Sequence, residues 1–447
     1  MDPTDIQASG DVVGTLRSLG GAYTETFPVV RNEYTNWLDE QRAITETATL
    51  ADLSHHMTAI RIEGPDARRL LRTLAVNDFD EFPVGKAKQV VMCNPSGYIM
   101  GDGPILRLGD DVFYGPGFDA ANWVKFHVES GDYDVDLEIE PPTSVLPGDP
   151  EKFVYQVQGP KALDVLEQVT DDDLSGIGFY RFSAIELAGY DVIALGHGMS
   201  TEPGFEFHGP YEAGEAVRDA ILEAGEAYGI RRLGLKAYHT LSVKVGWFPP
   251  GVKPIYDLPE MADYREWLTG DMRKAPYSID GSYDSEDITD YYISPIELNY
   301  GKLVDLDHDF VGKEAIAADL ADPKRQLVTL TWDDTDVVDV YGTLFESGPT
   351  AKFMNLPRIG WARRNYDAVL SDDELIGISH SRSYEWDVRS VVSLARINVE
   401  HSEPGTEVTV VWGEPDSPNP TVEDHERTAI KATVGPVPYG RDQRKSA

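Results

Sequence analysis

A short unit recurs along this chain: a few alternating residues, a Gly-Pro step, then a stretch with helical spacing. It occurs at 60–71 around Gly64-Pro65, at 155–166 around Gly159-Pro160, and again from 205 around Gly209-Pro210. Proline in a first helical turn forfeits no hydrogen bond, and its fixed φ suits that turn. Each unit therefore reads as strand, turn, helix. In the third, Ala213, Ala216, Val217, Ala220, Ile221 and Ala224 fall at i, i+3, i+4 spacing and are expected to face a sheet, with Gly229 stopping the helix. Repeated strand–helix units imply an α+β body with pseudo-duplicated halves.

Between the first two units, 85–94 has strand composition, Pro95-Ser96-Gly97 turns it, and 98–106 returns as a hairpin. Residues 250–292 are rich in Pro, Asp and Tyr and read as an insertion with a short helix at 261–268. From Gln326 the pattern becomes β-rich, with strands expected at 326–332, 390–397 and 407–412. The expected organisation is a catalytic body over 1–324 and a smaller β-rich domain over 325–447.

Composition narrows the class. Asp plus Glu number 77 against 39 Lys plus Arg, a net charge of −38, with the acids spread along the chain. Such a surface repels nucleic acid and anionic membranes. Dispersed acidity is the pattern of a salt-adapted protein, in which salt screens the self-repulsion. No run of about 18 apolar residues occurs. The start, MDPTDIQASGDVV, lacks a basic n-region and an apolar h-region. A single cysteine, Cys93, excludes an internal disulfide and a cysteine zinc site. A cytoplasmic enzyme is expected, with no metal, acting on a small molecule.

Several short motifs keep their order and spacing across about 260 residues. They are Asp52-Leu-Ser-His-His56, Val84-Gly-Lys-Ala-Lys88, Asn94-Pro-Ser-Gly97, Gly204-Phe-Glu206 and the run from Leu303 to Ala315. Together they resemble the glycine-cleavage T-protein superfamily. That resemblance implies a three-domain ring around a central folate channel, with tetrahydrofolate as cofactor. Departures choose a branch. A T-protein carries an Asp-Asp pair where this chain has Gly101-Asp102. It carries an Arg where Tyr238 stands and a Glu where Lys244 stands. At Tyr238 and Trp247, in Trp37-Leu-Asp-Glu-Gln41, His56-Met57 and Asn122-Trp123, and in the tail from Trp412-Gly-Glu-Pro through His425 to Pro438-Tyr439, the chain is similar to the tetrahydrofolate-dependent O-demethylases of methoxylated aromatic acids.

The resemblance implies roles. Glu206 and Gln156 would hold the pterin; a carboxylate accepts two hydrogen bonds from a flat donor edge. Trp247 would stack on the folate or wall its channel. Tyr238 would be the general acid: a methyl ether leaves as an alkoxide or phenolate, and a phenol of pKa about 10 is nearly matched to a departing phenolate. His56 and Phe179 match substrate-side positions. The plainer reading of Glu206 is a solvent-facing residue on an alternating strand between Phe205 and Phe207. Tyr238, His239, Lys244 and Trp247 are expected to lie close together. One departure stands out. The aromatic-acid demethylases carry a carboxylate-gripping arginine around the position of Gly117; here the stretch is Gly115-Pro-Gly117, and Arg31 is a candidate substitute.

The function expected is methyl transfer from a methoxylated, aromatic donor to N5 of tetrahydrofolate. The alternatives are the T-protein reaction, in which an aminomethyl group leaves a lipoyl carrier with release of ammonia, and demethylation of a sulfonium such as dimethylsulfoniopropionate. A non-enzymatic folate-binding protein ranks last, because Cys93 lacks the Lys-Gly-Cys signature of that branch.

Overall fold

The computed structural model describes residues 2–19, 29–55, 57–143, 148–268, 278–358 and 363–440. The three Gly-Pro units form strands as the pattern predicts, but they are shared between two sheets. The first, Ala59–Glu63, lies in a five-stranded sheet with Ala87–Cys93, Ile99–Arg107, Val112–Gly115 and Asp136–Glu140. The second and third, Lys152–Gln158 and Gly204–Pro210, run antiparallel side by side in a six-stranded sheet completed by Thr49–Asp52, Arg231–Arg232, Phe182–Leu187 and Tyr190–Leu195. The body is a mixed α+β structure, as expected.

The predicted hairpin is present. Ala87–Cys93 pairs with Ile99–Arg107. Asn94 Oδ1 accepts from the Ser96 and Tyr98 amides at 3.1 and 3.0 Å, closing the turn. The third helix runs Gly214–Gly225, and Gly229, in the left-handed region, ends the 3₁₀ turn that follows. Its buried stripe is Gly214, Val217, Ile221 and Gly225. Ala216, expected on that face, is exposed. Glycines let the helix sit close to the sheet, so the contact line runs through them rather than through the neighbouring alanines. The insertion helix spans Ala262–Leu268 after a 3₁₀ turn at Pro259–Met261.

Strands Arg325–Trp332, Ser390–Asn398, Glu374–Glu385, Asp367–Ser371, Glu407–Trp412 and Thr428–Gly435 close into a barrel, in that order. The contact of Arg325–Trp332 with Thr428–Gly435 completes it. The conserved-looking tail motif is a brace for this barrel. The Trp412 indole donates to the Lys352 carbonyl at 2.8 Å, and the Glu414 amide donates to His425 Nε2 at 2.6 Å. No helix among the described residues is long and apolar enough to cross a membrane.

Candidate active site

Strand alternation builds the first half of the site. Phe205 and Phe207 point into a core formed with Phe153, Tyr155, Val157 and the helix residues Val217 and Ile221. Glu206 and His208 therefore project from the opposite face. That face is covered, so Glu206 is 2% exposed and not a solvent-facing residue. Gln156 stands directly opposite Glu206 in register and donates Nε2–H to Glu206 Oε2 at 3.3 Å. Gln158 donates to Gln156 Oε1 at 3.1 Å, and the Met199 amide donates to the same oxygen at 3.2 Å. These bonds fix the Gln156 amide with its N–H₂ toward the carboxylate. His208 Nε2 lies 3.0 Å from Glu206 Oε1. Burial opposes ionisation of Glu206, yet the hydrogen bond and charge of His208, the charge of His197 and the Gln156 amide together hold its carboxyl below the usual range.

Tyr238 ends the short helix Leu235–Tyr238. It packs in a buried cluster with Ala51, Leu53, Val154 and Leu241, against Met57 and Met199. Ala51 pairs with Gln156, so this cluster lies on the Glu206 side of the sheet. Burial, and then the negative charge of Glu206, hold the Tyr238 phenol above its ordinary range. In the resting protein it is therefore a neutral hydroxyl, able to donate.

The second half of the site brings Trp247 together with residues the sequence did not single out. Asp102, on Ile99–Arg107 opposite Val91, is 2% exposed. Its Oδ2 accepts from Gln89 Nε2 at 2.7 Å, Trp247 Nε1 at 3.0 Å and the Tyr300 hydroxyl at 2.8 Å. Its Oδ1 is buried, with no hydrogen-bond partner among the described residues. Burial raises the Asp102 carboxyl above the usual range, against the Tyr300 and Trp247 hydrogen bonds. The Tyr180 hydroxyl donates to Gln89 Oε1 at 2.7 Å, and the Tyr180 ring stacks on His197 at 5.4 Å and 16°. His197 is within reach of the Glu206 charge. A line of polar groups thus joins the two sheets: Glu206, His197, Tyr180, Gln89, Asp102, Trp247.

Gly101 explains the departure from the T-protein pair. A Cβ there would meet the Ala120 nitrogen at 2.5 Å and the Asp119 carbonyl carbon at 2.7 Å. The backbone at 119–120 occupies the volume that a first acid needs.

The remaining predicted residues are placed as follows. Phe179 is half-buried, its ring 4.5 Å from Tyr180 and 6.2 Å from His197, on the line just described. His56 lies outside the described residues. Its neighbour His55 is buried, with Nδ1 2.7 Å from Thr143 Oγ1. Trp247 is half-buried and tied to Asp102. Of the expected grouping, the Tyr238 and His239 rings are 6.2 Å apart, whereas Lys244 and Trp247 bond to different elements. Lys244 turns to the barrel and donates to Asp387 at 2.7 Å, whereas Trp247 crosses to the hairpin. The left-handed Gly246 between them redirects the chain. Gly117 also lies in the left-handed region, and a Cβ there would meet Met57 Sδ at 2.6 Å. Arg31 is exposed, its guanidinium 5.9 Å from the Tyr34 ring. Neither position brings a cation to Tyr238.

The donor set suits a reduced pterin. Glu206 and the free Asp102 oxygen are buried acceptors, and such a ring system presents several N–H donors with few competing acceptors on that edge.

Residues 18–250 match the model of the GCVT N-terminal domain family. The chain belongs to the GCVT family. This GCVT-family protein is 37% identical to a syringate O-demethylase from Sphingobium sp. SYK-6, over 96% of its length and 94% of the relative's. It is 31% identical to a sesamin methylene transferase from Sinomonas sp. No.22, over 93% and 91%. Its fold is similar to the crystal structure of the glycine cleavage system aminomethyltransferase T from Bartonella henselae, with TM-score 0.60, 18% identity, and coverage of 93% and 91%. The family match together with these relatives over nearly the whole chain makes it a one-carbon-transferring enzyme.

Proposed function

We propose that this GCVT-family protein moves a methyl group from a methoxylated aromatic donor to N5 of tetrahydrofolate. The observation that carries the reading is the pairing of a buried, ionised Glu206 with a buried, neutral Tyr238 on one side of the sheet. The similarity to a syringate O-demethylase over nearly the whole chain supports it. Bound tetrahydrofolate supplies the nucleophilic nitrogen.

The protein's own contribution is positional and acidic. Glu206, oriented by Gln156 and His208, accepts N–H groups and fixes the cofactor's plane. Asp102 holds Trp247 and offers a second acceptor. Tyr238 would donate its proton to the ether oxygen as the C–O bond breaks, so the donor leaves as a phenol, and the proton released from N5 on methylation would restore the Tyr238 hydroxyl. Met57, Met199 and Phe179 exclude water from that bond.

Purified protein in molar KCl, given tetrahydrofolate and a panel of methoxybenzoates, methoxyphenols, sulfoniums and methylated amines, tests this. The expected product is 5-methyltetrahydrofolate from a methoxyarene. Methylenetetrahydrofolate overturns the reading: with ammonia it supports aminomethyl transfer, and without ammonia it supports a methylene donor.

A further inference from the structure

Tyr180 stands where the two sheets meet. Its φ is +56, in the left-handed region, where a side chain this large is a steric outlier. Such a conformation persists only where the surrounding bonds over-determine it. Those bonds reach both sheets. The Tyr180 N–H donates to the Gly196 carbonyl, just past strand Tyr190–Leu195, at 2.8 Å. Its own carbonyl accepts from the Ala87 amide, at the start of the hairpin, at 2.8 Å. The flanking Lys86 and Arg181 form an isolated bridge between the same two stretches. The half-buried Tyr180 ring also packs on a cluster drawn from both sheets, Ala87, Leu106 and Tyr114 from one and Leu195 from the other.

From this joint two paths lead to the two acids. On one side the Tyr180 hydroxyl donates to Gln89 Oε1 at 2.7 Å, and Gln89 Nε2 donates to Asp102 Oδ2 at 2.7 Å. The Gln89 amide is thereby held at both ends, and the oxygen it reaches is the one that takes the Trp247 indole. On the other side the Tyr180 ring stacks on His197 at 5.4 Å and 16°. His197 begins a loop whose Met199 and Ser200 amides donate to Gln156 Oε1 and Gln158 Oε1 at 3.2 and 3.1 Å. Gln156 in turn donates to Glu206 at 3.3 Å. The left-handed turn sends the ring toward one sheet's loop while the hydroxyl reaches the other sheet's strand.

Resting on the folate-dependent reading, we propose that Tyr180 is a positioning residue for the cofactor, which keeps Asp102 with Trp247 and Glu206 with Gln156 at one fixed spacing. Neither sheet carries both acids: Glu206 lies on Gly204–Pro210 and Asp102 on Ile99–Arg107. A flat, rigid ligand that meets both needs their spacing set before it arrives, because ordering the site on binding costs affinity. The phenol hydroxyl sets the Asp102 side, and the ring supports the Glu206 side. Tyr180 itself acts through Gln89 and His197 and takes no part in proton transfer.

Tyr180→Phe keeps the ring and removes the hydroxyl. Protein labelled with 5-fluorotryptophan gives a fluorine resonance for each tryptophan, and Trp247→Phe and Trp386→Phe assign two of them. Tyr180→Phe and Gln89→Met are each expected to shift or broaden the Trp247 resonance and to leave that of Trp386, beside the barrel, in place. In calorimetry at fixed molar KCl, Tyr180→Phe is expected to weaken tetrahydrofolate binding at least fivefold in the wild type, yet less than twofold beside Gln89→Met, because the path is already cut there. An unmoved Trp247 resonance in Tyr180→Phe, an equal disturbance at Trp386, or equal weakening in both backgrounds overturns the proposal. If Tyr180→Phe does not fold, Gln89→Met, which leaves Tyr180 in place, decides by the same two resonances. If the wild type binds no tetrahydrofolate, the folate reading fails, and the fluorine resonances still judge the link from Tyr180 to Trp247.

Discussion

Trp247 donates its indole N–H to Asp102 Oδ2 at 3.0 Å, linking the segment after Tyr238 to the hairpin that begins at Ala87. The same oxygen takes Gln89 and Tyr300, so one carboxylate ties the hairpin to the segments at 247 and 300. Asp102→Ala leaves three half-buried donors unpaired. A loss of about 3 kcal/mol is expected, since each stranded polar group costs on the order of 1–3 kcal/mol and they partly relax. Denaturant titration reads it. A change below 1 kcal/mol would show that the network does not hold the two halves together.

Glu206→Gln keeps the shape and removes the charge. Charge-assisted hydrogen bonds exceed neutral ones by about 1.5 kcal/mol or more. Tetrahydrofolate affinity is expected to fall at least tenfold, with the far-ultraviolet spectrum unchanged. Unaltered affinity by calorimetry would remove Glu206 from the cofactor site.

Tyr238→Phe removes only a hydroxyl. For methoxyarene donors kcat is expected to drop about 10²–10⁴-fold, the usual range for a positioned general acid, while tetrahydrofolate affinity stays within twofold. Because the phenol is held above its ordinary range, no alkaline limb of the wild-type pH profile should report its ionisation. A sulfonium donor that keeps full activity in the variant would show that proton delivery to oxygen is not the step at this position.

Gly117→Ala combines strain with a clash. The position lies at φ +66, and the new Cβ would meet Met57 Sδ at 2.6 Å. A destabilisation of about 1–2 kcal/mol is expected. Met57→Ala in the same background should recover part of it, because the flexible thioether is the obstacle. Absence of any recovery would put the whole cost on the backbone.

Glu385 gives a pH test. It is 1% exposed, accepts from the Tyr439 hydroxyl at 3.0 Å, and burial pushes its carboxyl up to about 7 against the Lys244 charge. Its folded value lies above its unfolded value. Its contribution to stability is therefore fully present below about pH 4.5 and lost as pH rises through 7. The wild type minus Glu385→Gln difference should decline over that window by about 3 kcal/mol. A flat difference between pH 4.5 and 7.5 would contradict it.

Much of the local structure was legible. Gly-Pro steps and period-two alternation marked the strands, and the Phe205-Glu206-Phe207 pattern put the acid on the face opposite the aromatics. Ordered motifs indicated the family. Other features were misplaced or unseen. Ala216 was assigned to the sheet face because apolar spacing does not reveal that glycines make the closest approach. Lys244 and Trp247 were expected close together because the two residues between them hide a left-handed turn at Gly246. Asp102 was quoted only as the survivor of a pair. Its donors at 89, 247 and 300 leave no local trace.

The amino-acid order by itself therefore determined the strands, the turns and which face of Gly204–Pro210 carries Glu206, because these depend on residues a few positions apart. Only the tertiary structure decided that Asp102 anchors Trp247, that Tyr238 shares a buried compartment with Glu206, and that Arg382 lies over the Trp412 ring. Those relations depend on where segments tens to hundreds of residues apart come to rest. Burial is what gives them energetic weight, since a polar group removed from water must find its partner through the folded path of the chain.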